Sequence, residues 1–221
     1  MNERAERIIN NLEMRNLKYP KDMDLFDEEA DMRKTEDIAA RAIISAIMAK
    51  CAFYLYEAEN PDAVKAECIR TLKRFGVQNR LFENERAVLN EEFDESLCDT
   101  VGWRYEAANA LLWALGFLED VAEADEPEDV EAALNHTFDL INAYENLTSF
   151  VDASALRGEE ELLDAFQLYW YYLWNVRDGM IFGDMPETIS YDVVLERRRA
   201  LQWLVFSDET DAGDWEIHMD T

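Results

Sequence analysis

The residues most able to do chemistry lie in Tyr191–Leu204, where Glu196-Arg197-Arg198-Arg199 interrupts an apolar helical pattern. At about 100° per residue, Arg197 falls among Val193, Ala200, Leu201 and Leu204, while Arg199 points away, beside Asp192 and Gln202. A guanidinium inside an apolar stripe must be paired or must line a cavity, because an unpaired buried charge is very costly. Two further helical stretches repeat the device. Glu106 lies angularly between Trp113 and Phe117, and Arg177 between Phe166 and Trp170. Glu106, Arg177 and Arg197 therefore form a candidate site, one carboxylate facing two planar guanidinium forks that it accepts bidentately. Asp164 and Asp178 sit on the polar side of their helix as second-choice partners, and Glu196 flanks the apolar arc as a second carboxylate. Read structurally, such a network fixes helix register, and removing one member is destabilising by about 3–5 kcal/mol. Read functionally, an arginine only partly satisfied by protein takes the carboxylate or phosphate of a ligand. Structural networks perturb ionisable groups as readily as active sites do, so the structural reading comes first.

Other chemistry is sparse. His218 lies near Asp214, Glu216 and Asp220, a weak divalent-metal candidate. His136 sits in ordinary amphipathic spacing and reads as a packing residue, and the aromatic run Tyr169–Trp174 reads as core. There is no Gly-rich phosphate loop, no HExxH, no GxSxG and no Cys beside a plausible His base. No catalytic residue and no cofactor is assigned.

The elements that must position these residues follow from composition and pattern. The chain has 221 residues, nearly half of them apolar, with seven Gly and four Pro, which disfavours a turn-rich all-β fold. The expectation is a single all-α globular domain of roughly eight to ten helices spanning 1–221. Within it, 1–34 is an N-terminal helix followed by an acidic connection with Leu25 and Phe26 as anchor, and 208–221 is an acidic tail carrying Trp215. Thr35 is an N-cap with Glu36 and Asp37 in the first turn of a helix reaching about Ala58. Asn60-Pro61 opens the next helix and Gly76 closes it. A short helix covers Asn84–Glu92, Phe93–Thr100 is a turn, and Trp103 to about Glu119 is a helix apolar nearly all round, hence buried. A helix opened by Pro127 at N1 runs to about Leu147, Gly158 opens a long one ending near Gly179, and Ser190 caps the last. The Trp103, Phe166 and Val193 helices are expected to pack centrally.

The formal net charge is −28, and residues 101–221 hold six Arg and no Lys against 27 acids. Such a surface repels nucleic acid phosphates and anionic lipid, which argues against either as partner. No apolar run reads as long enough to span a membrane, and the amphipathic Met1–Leu17 stretch is no signal peptide. Cys51, Cys68 and Cys98, an odd count without metal-ligand spacing, read as reduced thiols of a cytoplasmic protein.

The sequence also resembles a known family. Ile38-Ala39-Ala40-Arg41-Ala42, Trp103-Arg104-Tyr105-Glu106-Ala107 running into Leu112-Trp113-Ala114-Leu115-Gly116, Ala155-Leu156-Arg157, Trp174 to Arg177-Asp178, and Val194-Leu195-Glu196-Arg197 with Ala200-Leu201-Gln202-Trp203 occur in that order, ending in Asp214 and Asp220-Thr221. Together they resemble domain of unknown function 4272, a mostly bacterial family, although Arg198 and Gln202 stand where members more often carry His and Asn. The resemblance implies no activity. It does place Glu106, Arg157, Arg177, Asp178, Glu196 and Arg197 in signature segments, as candidate ligand-binding residues. With no nucleophile, base or metal constellation, the expected function is a non-catalytic binding or interaction module for a basic protein partner, inhibitor- or immunity-like roles included. The alternative is an enzyme or small-molecule binder using the Arg/Glu site for an anionic ligand.

Overall fold

The computed structural model describes residues 3–20, 30–55, 58–90, 94–125 and 127–206. The anchor Leu25-Phe26 and the whole acidic tail, with Asp214, Trp215, His218 and Asp220, lie outside the described residues. The fold is all-α. Ten helices occur among the described residues: α1 (Glu3–Met14), α2 (Thr35–Leu55), α3 (Pro61–Phe75), α4 (Glu83–Leu89), α5 (Glu95–Gly102), α6 (Arg104–Ala114), α7 (Val130–Asn142), α8 (Leu147–Ala153), α9 (Glu159–Phe182) and α10 (Tyr191–Val205). Extended pairing there is limited to two isolated bridges, Asp31 with Phe206 and Ala124 with Ile189.

The helices stack in a definite order. α1 lies on α9, α9 on α10, α10 on α6, and α6 on α2, which also meets α3, α5, α7 and α8. α6 and α10 are interior as expected and α9 is covered by α1 and α10, but the helix that meets most others is α2, which was not expected at the centre. Every residue from Ile38 to Ala49 is buried. Alanines on α2 (Ala39, Ala42, Ala46, Ala49) and α6 (Ala107, Ala110, Ala114) leave room for neighbours on all sides. α2 is long and apolar enough to cross a membrane, contrary to the sequence expectation, but most of it is buried against other helices, as a core helix is.

Several boundaries differ from those expected, each for a local reason. The described part of the expected Phe93–Thr100 turn, from Asp94 on, is helical: Asp94 accepts a hydrogen bond from the Leu97 N–H (2.8 Å) and starts α5. α6 stops at Ala114, five residues short of Glu119, because Gly116 adopts φ 80° and the chain turns back. α7 starts after an Asp129 cap, not at Pro127, and ends at Asn142. Asn146 and Ser149 then form a reciprocal capping box that opens the unexpected α8. α9 runs to Phe182, where Gly183 takes the left-handed conformation at φ 75°.

The polar face of α9 receives α1 through ions. Asp164 accepts from Arg4 (2.8 Å) and Arg7 (2.6 Å), Glu160 accepts from Arg7 (2.7 Å), and Asp178 from Lys18 (2.9 Å). Asn175 clasps the backbone of Lys18 at both its N–H (2.9 Å) and its carbonyl (3.0 Å). The three cysteines are free and buried. Contact with Cys68, then burial, pushes the Cys51 thiol up.

Candidate functional site

The wheel geometry of Arg197 and Glu106 is realised between α10 and α6. Arg197 Nε donates to Glu106 Oε2 (2.7 Å), and Nη2 lies 2.7 Å from the same oxygen. The third nitrogen, Nη1, donates to the carbonyls of Val121 (3.2 Å) and Glu123 and to the Tyr169 hydroxyl (2.9 Å). Tyr169 in turn donates to Val121 O (2.6 Å), and Tyr172 to Ala122 O (3.1 Å). All three guanidinium nitrogens are thus committed to protein. Burial opposes the cation, but the Tyr169 oxygen and the Glu106 carboxylate prevail and hold its pKa above the usual arginine range. The arrangement grips the backbone of 121–123 and lashes the α6–α7 connection to α9 and α10.

The other expected site residues are dispersed. Arg177 does not join Glu106; it lies near Arg198, whose guanidinium stacks on Trp170 at 4.6 Å. Burial, then the charges of Arg177 and Arg199, pushes Arg198 down to about 10. Glu196 serves Arg199, accepting from Nη1 (2.6 Å) rather than from Arg197, and its Oε2 is buried without a described hydrogen-bond partner. Asp178 is engaged by Lys18, as above. Arg157 binds the C-terminal region of α6: Nε donates to Trp113 O (2.8 Å), Nη2 to Leu118 O (2.9 Å) and Glu119 O (3.3 Å), and Nη1 to Glu161 (2.5 Å). A cation beside the C-terminus of a helix is favoured by the helix dipole. Beside it, the Ala155 N–H donates to Leu115 O (2.9 Å) and the Arg157 N–H to Ala114 O (2.9 Å). A Cβ on Gly116 would stand 2.8 Å from the Ala155 carbonyl oxygen, so this close approach needs glycine. The Trp-Ala-Leu-Gly and Ala-Leu-Arg segments are two sides of one junction.

The chain belongs to the family described as Domain of unknown function (DUF4272). Its model matches residues 4–217, nearly the whole chain. No curated protein and no solved structure matches it. Family membership therefore brings no activity with it.

A second charged cluster, which sequence reasoning missed, is more deeply buried than the first. Glu85 is 0 % exposed, and its Oε1 accepts from both Arg41 Nη2 and Arg104 Nη1 (2.6 Å), each guanidinium side chain being 3 % exposed. Its Oε2 accepts the Phe82 N–H (2.8 Å), and Arg41 Nε donates to Ser45 Oγ (3.3 Å). Burial pushes the Glu85 carboxyl up, but Arg41, Arg104 and the Phe82 N–H outweigh it and hold it below the usual carboxylate range. One carboxylate facing two arginines was the expected design, built here from other residues. Arg41, alone among apolar residues from Ile38 to Ile44, carried the signal. Among the described residues no group of three His, Cys, Asp or Glu side chains is placed to hold a metal ion.

Proposed function

We propose that this chain is a cytoplasmic, non-catalytic interaction protein that takes a basic amphipathic segment of a partner protein into two grooves meeting at Phe53. The supporting observation is the pair of grooves itself. One, of about 620 Å3, runs between α2 and α5, with Phe53, Trp103 and Tyr105 as apolar walls and Glu95 and Asp99 on its rim. The other, of about 510 Å3, runs between α2, α3 and α7, with Val64 and Phe138 as walls and Glu67 and Glu131 on its rim. Phe53 lines both and is 38 % exposed, which leaves an aromatic face open to a partner. The one lysine in the second groove, Lys50, is held over the Phe138 ring at 3.9 Å. Apolar troughs edged by carboxylates on a chain of net charge −28 complement a helix with one greasy face and flanking lysines or arginines. The same field disfavours nucleic acid and anionic lipid as partners. An inhibitor or immunity-like role is a special case.

The test is affinity capture at low and high salt with wild type, Phe53→Asp and Phe182→Asp as baits. Phe182, 74 % exposed at the far end of α9, is the control. Wild type and Phe182→Asp should retain the same basic proteins at low salt, and Phe53→Asp should lose them. Loss with Phe182→Asp instead, or nothing retained by wild type at low salt, refutes the reading. The ligand-binding alternative does not rest on Arg197, whose nitrogens are all committed; a different group of arginines carries it.

A further inference from the structure

We infer that the cleft between α2, α4 and the segment around Arg33 binds a small phosphate-bearing anion. Its volume is about 420 Å3, within the roughly 300–1,000 Å3 of small-molecule sites. Four of its lining residues are arginines, Arg33, Arg41, Arg80 and Arg86, and the carboxylate among them is Asp37. This concentration of cations occurs in a chain with 49 acids and 21 Lys plus Arg, so it is not what the average surface would supply. The four arginines come from four separate stretches of chain: the residues before α2, α2 itself, the turn before α4, and α4.

One guanidinium in the cleft, Arg33, is fixed in advance, and a buried one, Arg41, adds its charge from the cleft wall. Arg33 stacks on Trp203 at 4.3 Å while its Nε donates to the Trp203 carbonyl (2.7 Å), and Arg41 stacks on Phe82 at 4.1 Å. A fork already held by an aromatic face loses less freedom when a ligand arrives. Behind Arg41 lies Arg104, and both share the single Oε1 of Glu85, so the triad beneath the cleft is itself formally positive. The other two are positioned to adapt. Arg80 is 43 % exposed and pairs with Asp37 (3.0 Å) and Glu36 (3.3 Å), contacts that contribute little in water and exchange readily. Arg86 is exposed, and its described hydrogen bond goes to the Leu81 carbonyl. Arg33, Arg80 and Arg86 lining one cleft, with the charge of Arg41 behind, suit a group with several acceptor oxygens and a charge near −2, which a phosphate has and a lone carboxylate lacks.

The test is isothermal titration of the full chain with pyrophosphate, ADP and citrate, on wild type and on the Arg80→Gln/Arg86→Gln double variant. Both substitutions are at exposed sites, so the double variant should melt at the wild-type temperature without ligand. Wild type should bind pyrophosphate or ADP more tightly than citrate, more weakly as salt rises, and the double variant should lose about tenfold or more in affinity. Binding of ADP but not pyrophosphate assigns the phosphate as part of a nucleotide, and binding of both assigns the phosphate group alone. The inference is overturned if neither phosphate compound binds, if the double variant binds as wild type does, or if citrate binds at least as tightly. None of these outcomes depends on the Phe53 grooves.

Discussion

Glu85→Gln is expected to be among the most damaging isosteric substitutions in this molecule. The change keeps the shape of the side chain and removes its charge, leaving the guanidiniums of Arg41 and Arg104, each 3 % exposed, without the carboxylate they share. Breaking a buried pair in this way costs about 3–5 kcal/mol. The bond from the Phe82 N–H to Oε2 is weakened as well, adding about 0.5–1.5 kcal/mol. Against a total stability of about 5–15 kcal/mol, this is a large fraction. Urea denaturation followed by circular dichroism should show a lower midpoint at unchanged slope. The triple variant Glu85→Leu/Arg41→Met/Arg104→Met, which replaces the triad by apolar groups, should recover most of the loss, because what is lost is compensation rather than contact. A Glu85→Gln protein within about 1 kcal/mol of wild type, or a triple variant losing the sum of the three single losses, would refute the reasoning.

The pH dependence of the same site has a definite sign. The Glu85 carboxyl is held below its ordinary value of 4.5, so its contribution is present above that pH and is lost as pH falls through the folded-state value; the stability gap between wild type and Glu85→Gln should narrow below it, measured by urea melts across the acid range. Arg197→Met should cost about 3–5 kcal/mol and speed hydrogen exchange in 119–124 more than elsewhere, since those carbonyls lose their clamp; uniform acceleration would count against the clamp. Gly116→Ala should lower the melting temperature, by roughly 1–3 kcal/mol of stability, because φ 80° and a carbonyl oxygen at 2.8 Å leave no place for a methyl group. Raising salt should loosen α1 from α9 before the core responds, because Arg7 and Lys18 are about half exposed in their pairs; earlier proteolysis within Glu3–Met14 would register it.

The chemistry of the long helices was legible and that of the short ones was not. Arg197 and Glu106 each sit in a helix long enough for an apolar arc to be drawn, so their inward direction could be read from angles. A wheel gives direction but not height along the axis. Arg177 stands about two turns beyond Tyr169, past the level of Glu106, and meets Arg198 instead. Glu85 lies in a seven-residue helix, too short to define an arc, and its partners come from sequence positions 44 and 19 residues away. Arg41 could have been identified by its apolar neighbours alone, but naming its partner needed the fold. The α6 terminus was misread for a related reason: the apolar pattern continues through Leu118, and only the docking of Ala155 on Gly116 reveals that the helix has already ended.

The 121–123 stretch is grasped through its carbonyl oxygens, by Arg197, Tyr169 and Tyr172. Val121 is also buried in the core and Ala122 packs against it, so of the three only the exposed Glu123 is free to drift or to be redesigned. The length of the stretch is not: one residue added or removed would take the oxygens out of reach of all three anchors.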